Sequence, residues 1–262
     1  MTKRTPEQLT DVALGVATSA AELVLSGFRQ SFSVAKKAFD ELYTEYDVKS
    51  EELMRRHLEE LTPEIPVVGE EHGGEGSDEL TWYLDPIDGT INFAAGNPWF
   101  AVSVGAMRGD KPVCGAVVAP ALNVFWSGWV GGEARRNGEL CRISNTQALS
   151  EALVTTGFPR RRAVASDRSE RPSFGQEFLK MADRVRDVRR GGSAAIELCL
   201  VAEGTYDLYW MRSLPRWDTA AGAAIVLAAG GRWDTFQSGT VRAQNVAANG
   251  RLASEFSKLM DL

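Results

Sequence analysis

Residues 82–93 read Trp82-Tyr83-Leu84-Asp85-Pro86-Ile87-Asp88-Gly89-Thr90-Ile91-Asn92-Phe93. A short apolar run ends on two aspartates three residues apart, with Pro86 between them and Gly89 behind. Pro86 has no N–H and restricts Asp85 to extended backbone. Gly89 lets the chain bend tightly and bare its amides. A strand that ends this way offers two carboxylates and a carbonyl oxygen, a donor set suited to a hard cation such as Mg²⁺ or Ca²⁺. A helix starting after Gly89-Thr90 would aim backbone N–H groups at phosphate oxygens. Alone, the same residues also make a plain surface turn with an aspartate cap.

Two further stretches change that balance. Ile65-Pro66-Val67-Val68 runs into Gly69-Glu70-Glu71, and Trp217-Asp218-Thr219-Ala220-Ala221-Gly222 opens a small-residue segment. Taken singly, the first reads as solvated acids and the second as a helix cap. Together, apolar runs that end in carboxylates read as strands delivering acids to a common edge. Two cations a few ångströms apart would neutralise a phosphate, lower the pKa of a water and stabilise a leaving oxygen. Two histidines and no paired cysteines make a zinc or copper site a poor fit.

Thr5-Pro6-Glu7-Gln8 has the form of a helix start, with a threonine cap, proline at the first position and glutamine placed for a capping box. Leu9, Val12, Val16, Ala20, Leu23, Val24 and Phe28 follow at helical spacing. A second helix is predicted over 50–61, ended by Thr62-Pro63. Strands are predicted over 101–107, 113–118, 124–130 and 140–143, as an antiparallel meander with turns at Gly131-Gly132 and Asn137-Gly138. The second half should hold a strand over 153–157 and a helix over 174–185 with Phe174, Phe178, Met181, Ala182 and Val185 inward. A helix over 193–202 capped by Ser193, a strand over 206–211 and a helix over 218–229 complete it.

The chain has 262 residues, 44% of them apolar and 24% charged, enough for a substantial core in one large unit or two packed halves. A net charge of -6 argues against a protein built mainly to grip nucleic acid. Cys114, Cys141 and Cys199 lack paired spacing and are expected as reduced core thiols. No signal-peptide pattern is read at the N-terminus, and no apolar run is expected to reach the length that spans a bilayer, so a cytoplasmic location is expected.

The ordered set resembles the inositol monophosphatase family of lithium-sensitive, metal-dependent phosphatases. The resemblance runs from the Asp47–Lys49 region through GEE at 69–71 and WYLDPIDGTINF at 82–93. It continues through GGEARRNGELCRIS at 131–144, TGFP at 156–159, RRGGSAAIELCLVAEG at 189–204 and PRWDTAAG at 215–222. The implied fold is α+β, a layered αβαβα sandwich. Residues 1–144 form an α+β half with most ligands, and 145–262 form an α/β half that completes the site.

By that resemblance, Glu70, Asp85 and the Ile87 carbonyl hold one Mg²⁺, and Asp85, Asp88 and Asp218 hold a second. Glu70 helps place a third through waters, giving two or three ions. Thr90, bonded to Asp47, orients the nucleophilic water with Glu70, and the Gly89 and Thr90 amides take the phosphate. Lys36 stands where the family often has a lysine near the site. Asp88, Gly192, Ser193, Ala194 and Met211 are the expected substrate contacts. A small phosphorylated metabolite, no membrane partner, a homodimer and lithium sensitivity are implied as well.

One position departs from the pattern. Family members that act on inositol carry an acid seven positions before the WD aspartate, where this chain has Met211, which cannot accept strong hydrogen bonds from hydroxyls. Arg160-Arg161-Arg162 could reach a second anionic group. Substrates left open are inositol phosphates, fructose 1,6-bisphosphate, histidinol phosphate and a 3′-phosphonucleotide. A docking role on the transcription machinery is the non-catalytic alternative, using Arg184, Arg186, Arg189 and Arg190.

Overall fold

Thr5 begins the first helix as its sequence predicts: its hydroxyl accepts from Gln8 N at 3.2 Å and the Gln8 side chain accepts from Thr5 N at 3.0 Å. The computed structural model describes residues 4–36, 42–158, 170–212, 214–238 and 241–260. Helix α1 (Pro6–Gly27) is followed by a two-stranded ribbon, β1 (Val34–Lys36) and β2 (Leu42–Thr44), that was not anticipated. Helix α2 (Glu45–Leu61) starts well before residue 50, because Thr44 and Asp47 form a second capping box.

The first sheet runs in chain order: β3 (Val67–Gly69), β4 (Thr81–Asp88), β5 (Ala101–Arg108), β6 (Lys111–Ala119), β7 (Val124–Trp129), β8 (Ala134–Arg136) and β9 (Glu139–Leu140). Strand β3 is parallel to β4, and the rest form the antiparallel meander. The short helix α3 (Thr90–Ala94) interrupts the passage from β4 to β5. The strand expected over 140–143 is shortened to β9 and starts one residue earlier. Asn137 (φ 49°) and Gly138 (φ 86°) close the expected turn as a two-residue hairpin between β8 and β9, both left-handed as such a turn requires.

The second sheet contains β10 (Leu153–Thr156), β11 (Asp187–Arg189), β12 (Leu208–Arg212), β13 (Arg232–Ser238) and β14 (Val241–Ala248), in the order β11-β10-β12-β14-β13. Its helices are α4 (Glu170–Ala182), α5 (Ala194–Ala202), α6 (Arg216–Ala228) and α7 (Gly250–Met260). Strands β11, β13, β14 and helix α7 had no counterpart in the sequence reading. Ala182 is exposed instead of inward, because α4 ends there, while Met181 is buried. The Phe174 side chain lies outside the described residues.

Alternation along the strands sorts the first sheet's two faces. Val102, Val104 and Ala106 of β5 and Cys114, Ala116 and Val118 of β6 pack with α1 and α2. The opposite face takes α6, and Val117 and Ala119 join the core of α5 and α6. The far face of the second sheet is covered by α4 and α7 through Met181, Trp210, Leu252 and Phe256. The layers are therefore helices, sheet, helices, sheet, helices. By length and composition alone α1 is apolar enough to cross a membrane, which corrects the expectation that no segment approaches that length. Its apolar stripe, from Leu9 to Val24, lies in this core.

Helix α6 approaches the first sheet closely because the strands beneath it lack side chains. Gly105 pairs with Gly115, and Gly115 pairs with Gly128, so three glycines lie in one row across β5, β6 and β7. A Cβ on Gly105 would stand 2.3 Å from Ala221 N, and one on Gly115 would stand 2.3 Å from Ala221 Cα. Both contacts are with helix backbone, so neither can be relieved by turning a side chain. Gly115→Ala should lower unfolding stability by about 1–3 kcal/mol, the usual cost of overpacking a filled core. Denaturant melts would measure it, and an unchanged midpoint would refute the close packing.

Candidate metal centre

Asp85 and Asp88 are an odd number of residues apart, so a regular strand would point them to opposite faces. Strand β4 avoids this with a bulge. Asp85 pairs with Ser103 and Asp88 with Ala101, so the register shifts between them. Both carboxylates therefore turn toward the layer of α5 and α6. Ile87 faces the other way, into the core under α1 and α2. Asp218 enters from the first turn of α6, which the glycine row has brought down onto the sheet.

One carboxylate oxygen each from Glu70, Asp85 and Asp218 gathers within 4.8 Å of the other two. Asp85 is fully buried and Asp218 is 2% exposed. Three negative groups this close in a poorly solvated place repel strongly. An oxygen-only donor set with this charge fits a hard divalent cation.

Asp88 does not belong to that triad of oxygens. Its Oδ2 accepts from Ser193 Oγ at 2.6 Å and from Ala195 N at 2.7 Å, at the start of α5. Ser193 also caps α5 by accepting from Ile196 N. Its hydroxyl is thus buried in this network.

Thr90 and Asp47 meet as expected. Thr90 Oγ1 lies 3.1 Å from Asp47 Oδ1 and 3.0 Å from the Ile87 carbonyl. Asp47 Oδ2 accepts from Thr44 N at 2.7 Å and Thr44 Oγ1 at 2.6 Å. Burial pushes the Asp47 carboxyl up to about 6, the bonds from Thr44 and Thr90 oppose this, and the Glu70 charge adds to the rise. Gly89 caps α3 in the left-handed region at φ 97°, with Gly192 O and Trp99 O close to where a Cβ would be.

Met211 is 9% exposed and packs on Gly157, where a Cβ would meet its sulfur at 2.3 Å. Its neighbour Arg212 is buried in an ion pair with Glu177. Lys36 ends β1, but its side chain, like Arg160, Arg161 and Arg162, lies outside the described residues. Of the arginines considered for docking, Arg189 is paired with Asp187 at 2.6 Å and Arg190 lies over Phe158 at 5.6 Å.

Sequence reasoning missed two supporting residues. Asn92 donates from Nδ2 to Trp99 O at 2.6 Å and to Gly191 O at 3.0 Å, tying the β4–α3 corner to the loop before α5. Glu197 Oε1 accepts from Gly191 N at 2.5 Å and Gly192 N at 3.2 Å. Both lie inside quoted motifs, yet nothing local marks the contacts they make.

Burial raises the Glu197 carboxyl to about 7 from an ordinary 4.5, opposed by the two amides and reinforced by the Asp88 charge. The folded state then holds a proton that the unfolded chain releases, so this contribution to stability is present below about 4.5 and is lost as pH rises through about 7. In EDTA, Glu197→Gln should gain Tm relative to wild type across that window. A difference that stays flat with pH would contradict the assignment.

The comparisons with known proteins agree with this geometry. The profile of the inositol monophosphatase family matches residues 5–260. Inositol-1-monophosphatase SuhB of Mycobacterium tuberculosis is 37% identical over 248 residues, covering 87% of this chain and 83% of that protein. A fructose-1,6-bisphosphatase/inositol-1-monophosphatase of Aquifex aeolicus is 36% identical over 200 residues, covering 76% and 74% respectively. The crystal structure of extragenic suppressor protein suhB from Bartonella henselae superposes with a TM-score of 0.86 at 26% identity, covering 96% of this chain and 98% of that one. With the acidic triad in place and the family profile spanning nearly every residue, the chain belongs to the inositol monophosphatase family and is a phosphoric monoester hydrolase.

Proposed function

We propose that this phosphatase hydrolyses a small-molecule phosphate monoester with two or three Mg²⁺ ions held by Glu70, Asp85, Asp88, Asp218 and the Ile87 carbonyl. The observation that carries the reading is the convergence of Glu70, Asp85 and Asp218 oxygens within 4.8 Å. Cations bound there would supply charge neutralisation at the phosphoryl oxygens, a lowered water pKa and stabilisation of the leaving oxygen.

The chain's own groups orient the reaction. Asp47, held by Thr44 through two bonds, is turned so that its Oδ1 faces the Thr90 hydroxyl. Thr90 then donates toward Asp47 and keeps a lone pair for a proton of the attacking water, with Glu70 as the second acceptor. The N–H groups of Gly89 and Thr90 start α3, where helix amides have no intrahelical acceptor, and they receive phosphate oxygens. Gly192 and Ala194 line the alcohol side beside Asp88, while Ser193, expected there too, is fully buried and instead holds the Asp88 carboxylate. Water attacks in line with the leaving oxygen, and no covalent enzyme adduct forms.

The names of the similar proteins supply two substrates to try first, inositol 1-phosphate and fructose 1,6-bisphosphate. Met211 supports a leaving alcohol that is not read by a carboxylate at that point. A homodimer and lithium inhibition belong to the same reading through the family resemblance, and the cytoplasmic location expected from the sequence pattern goes with them.

Phosphate release from a panel of inositol 1-phosphate, fructose 1,6-bisphosphate, histidinol phosphate and 3′-phosphoadenosine 5′-phosphate should require Mg²⁺, stop with EDTA and fall with Li⁺. Asp218→Asn should cost several kcal/mol of transition-state stabilisation, at least about 100-fold in rate. Turnover that persists in that variant at the wild-type rate would overturn the ligand assignment.

A further inference from the structure

The turn that carries Glu70 rests on another carboxylate that the acidic triad does not use. Glu51 projects from α2 and is fully buried. Its Oε2 accepts from Glu71 N at 2.7 Å. Its Oε1 accepts from His72 N at 3.1 Å and from Arg55 Nε at 2.8 Å, and His72 Nδ1 stands 3.2 Å away. Arg55 spends its remaining nitrogens on the same segment, donating to Val67 O at 3.3 Å and to Gly73 O.

The backbone is thus gripped on both sides of Glu70. Gly69 and Gly73 bridge each other at 2.9 and 3.1 Å, and Glu70 N donates to Leu84 O at 3.2 Å, beside Asp85. Gly69 has no side chain where one would collide: a Cβ there would stand 2.2 Å from Glu51 Oε1. The carboxylate therefore sits directly beneath the turn, in space that the sequence keeps open for it.

A buried carboxylate is costly unless it is paired and hydrogen-bonded, and Glu51 meets both conditions through this turn and Arg55. Glu70 itself must be held close to two other negative groups. Repulsion from Asp85 and Asp218 would drive a loose turn outward. We propose that Glu51 is a positioning residue for the metal centre: with Arg55 it locks residues 69–73 so that the Glu70 carboxylate is already beside Asp85 and Asp218 before a cation binds. This rests on the reading of Glu70 as a ligand.

The test is Mn²⁺ binding to the metal-free protein, followed by electron paramagnetic resonance, for wild type and Glu51→Gln. Glutamine keeps the shape but presents an NH₂ to a backbone N–H. Groups that orient metal ligands typically cost roughly 10–100-fold in affinity when lost, and that weakening is expected here. A purely structural role would lower Tm and leave Mn²⁺ affinity of the folded variant unchanged, and that result overturns the proposal. Wild type that binds no Mn²⁺ would sink the ligand reading, and the proposal with it, whatever the variant does. Hydrogen exchange on metal-free wild type needs no variant to fold. The Glu71 and His72 amides should exchange slowly, and exchange at the unprotected rate while β4 stays protected would rule the lock out.

Discussion

The structure depends on how closely α6 can lie on the first sheet. Helix and sheet normally stand apart by the bulk of the side chains between them. The row Gly105, Gly115 and Gly128 removes that bulk along one line, and Ala220 and Ala221 settle over the first two and Ala228 over the third. On its other side α6 is equally pared down, with Leu198 of α5 filling the place where a Gly222 side chain would be. With α5 it forms the layer shared by the two sheets. Asp218 lies in its first turn, so the depth of this packing decides whether Asp218 reaches Asp85 and Glu70.

Around that junction the protein concentrates negative charge, and most of its local hydrogen bonding serves to hold it there. Asp88 is pinned by Ser193 and the Ala195 amide, Asp47 by Thr44, and Glu197 by the amides of Gly191 and Gly192. These bonds favour the charged forms, while burial opposes them, and for Asp47 and Glu197 burial has the larger effect. The site is therefore assembled under electrostatic load. Such a load explains why so many backbone amides are committed to carboxylates, and why cations suit the triad.

Much of this was legible beforehand. Apolar runs ending in acids pointed to Glu70, Asp85 and Asp88, the family resemblance added Asp218, and the capping residues Thr5 and Ser193 marked their helices correctly. The reading failed where local pattern was weak or silent. Helix α2 begins at the Thr44–Asp47 box rather than near residue 50, and that start is hard to read because an aspartate stands where the usual box has Glu or Gln. Strands β13 and β14 carry interspersed polar residues, and their pairing rather than their composition makes them strands. Gly105, Gly115 and Gly128 are glycines inside strands, a signal of close backbone approach that could have been used.

What the sequence determined by itself is the chemistry available: hard oxygen ligands, a proline–glycine corner, helix starts and the periodicity of each face. Those are properties of side-chain type and spacing over a few residues. Only the tertiary structure decided that a bulge turns Asp85 and Asp88 the same way, and that Glu51 lies beneath Glu70. It likewise decided that Asn92 bridges to Gly191 and that Asp88 meets Ser193 and the Ala195 amide. Those distances join segments far apart in the chain, and they are set by how layers pack, which no local pattern encodes.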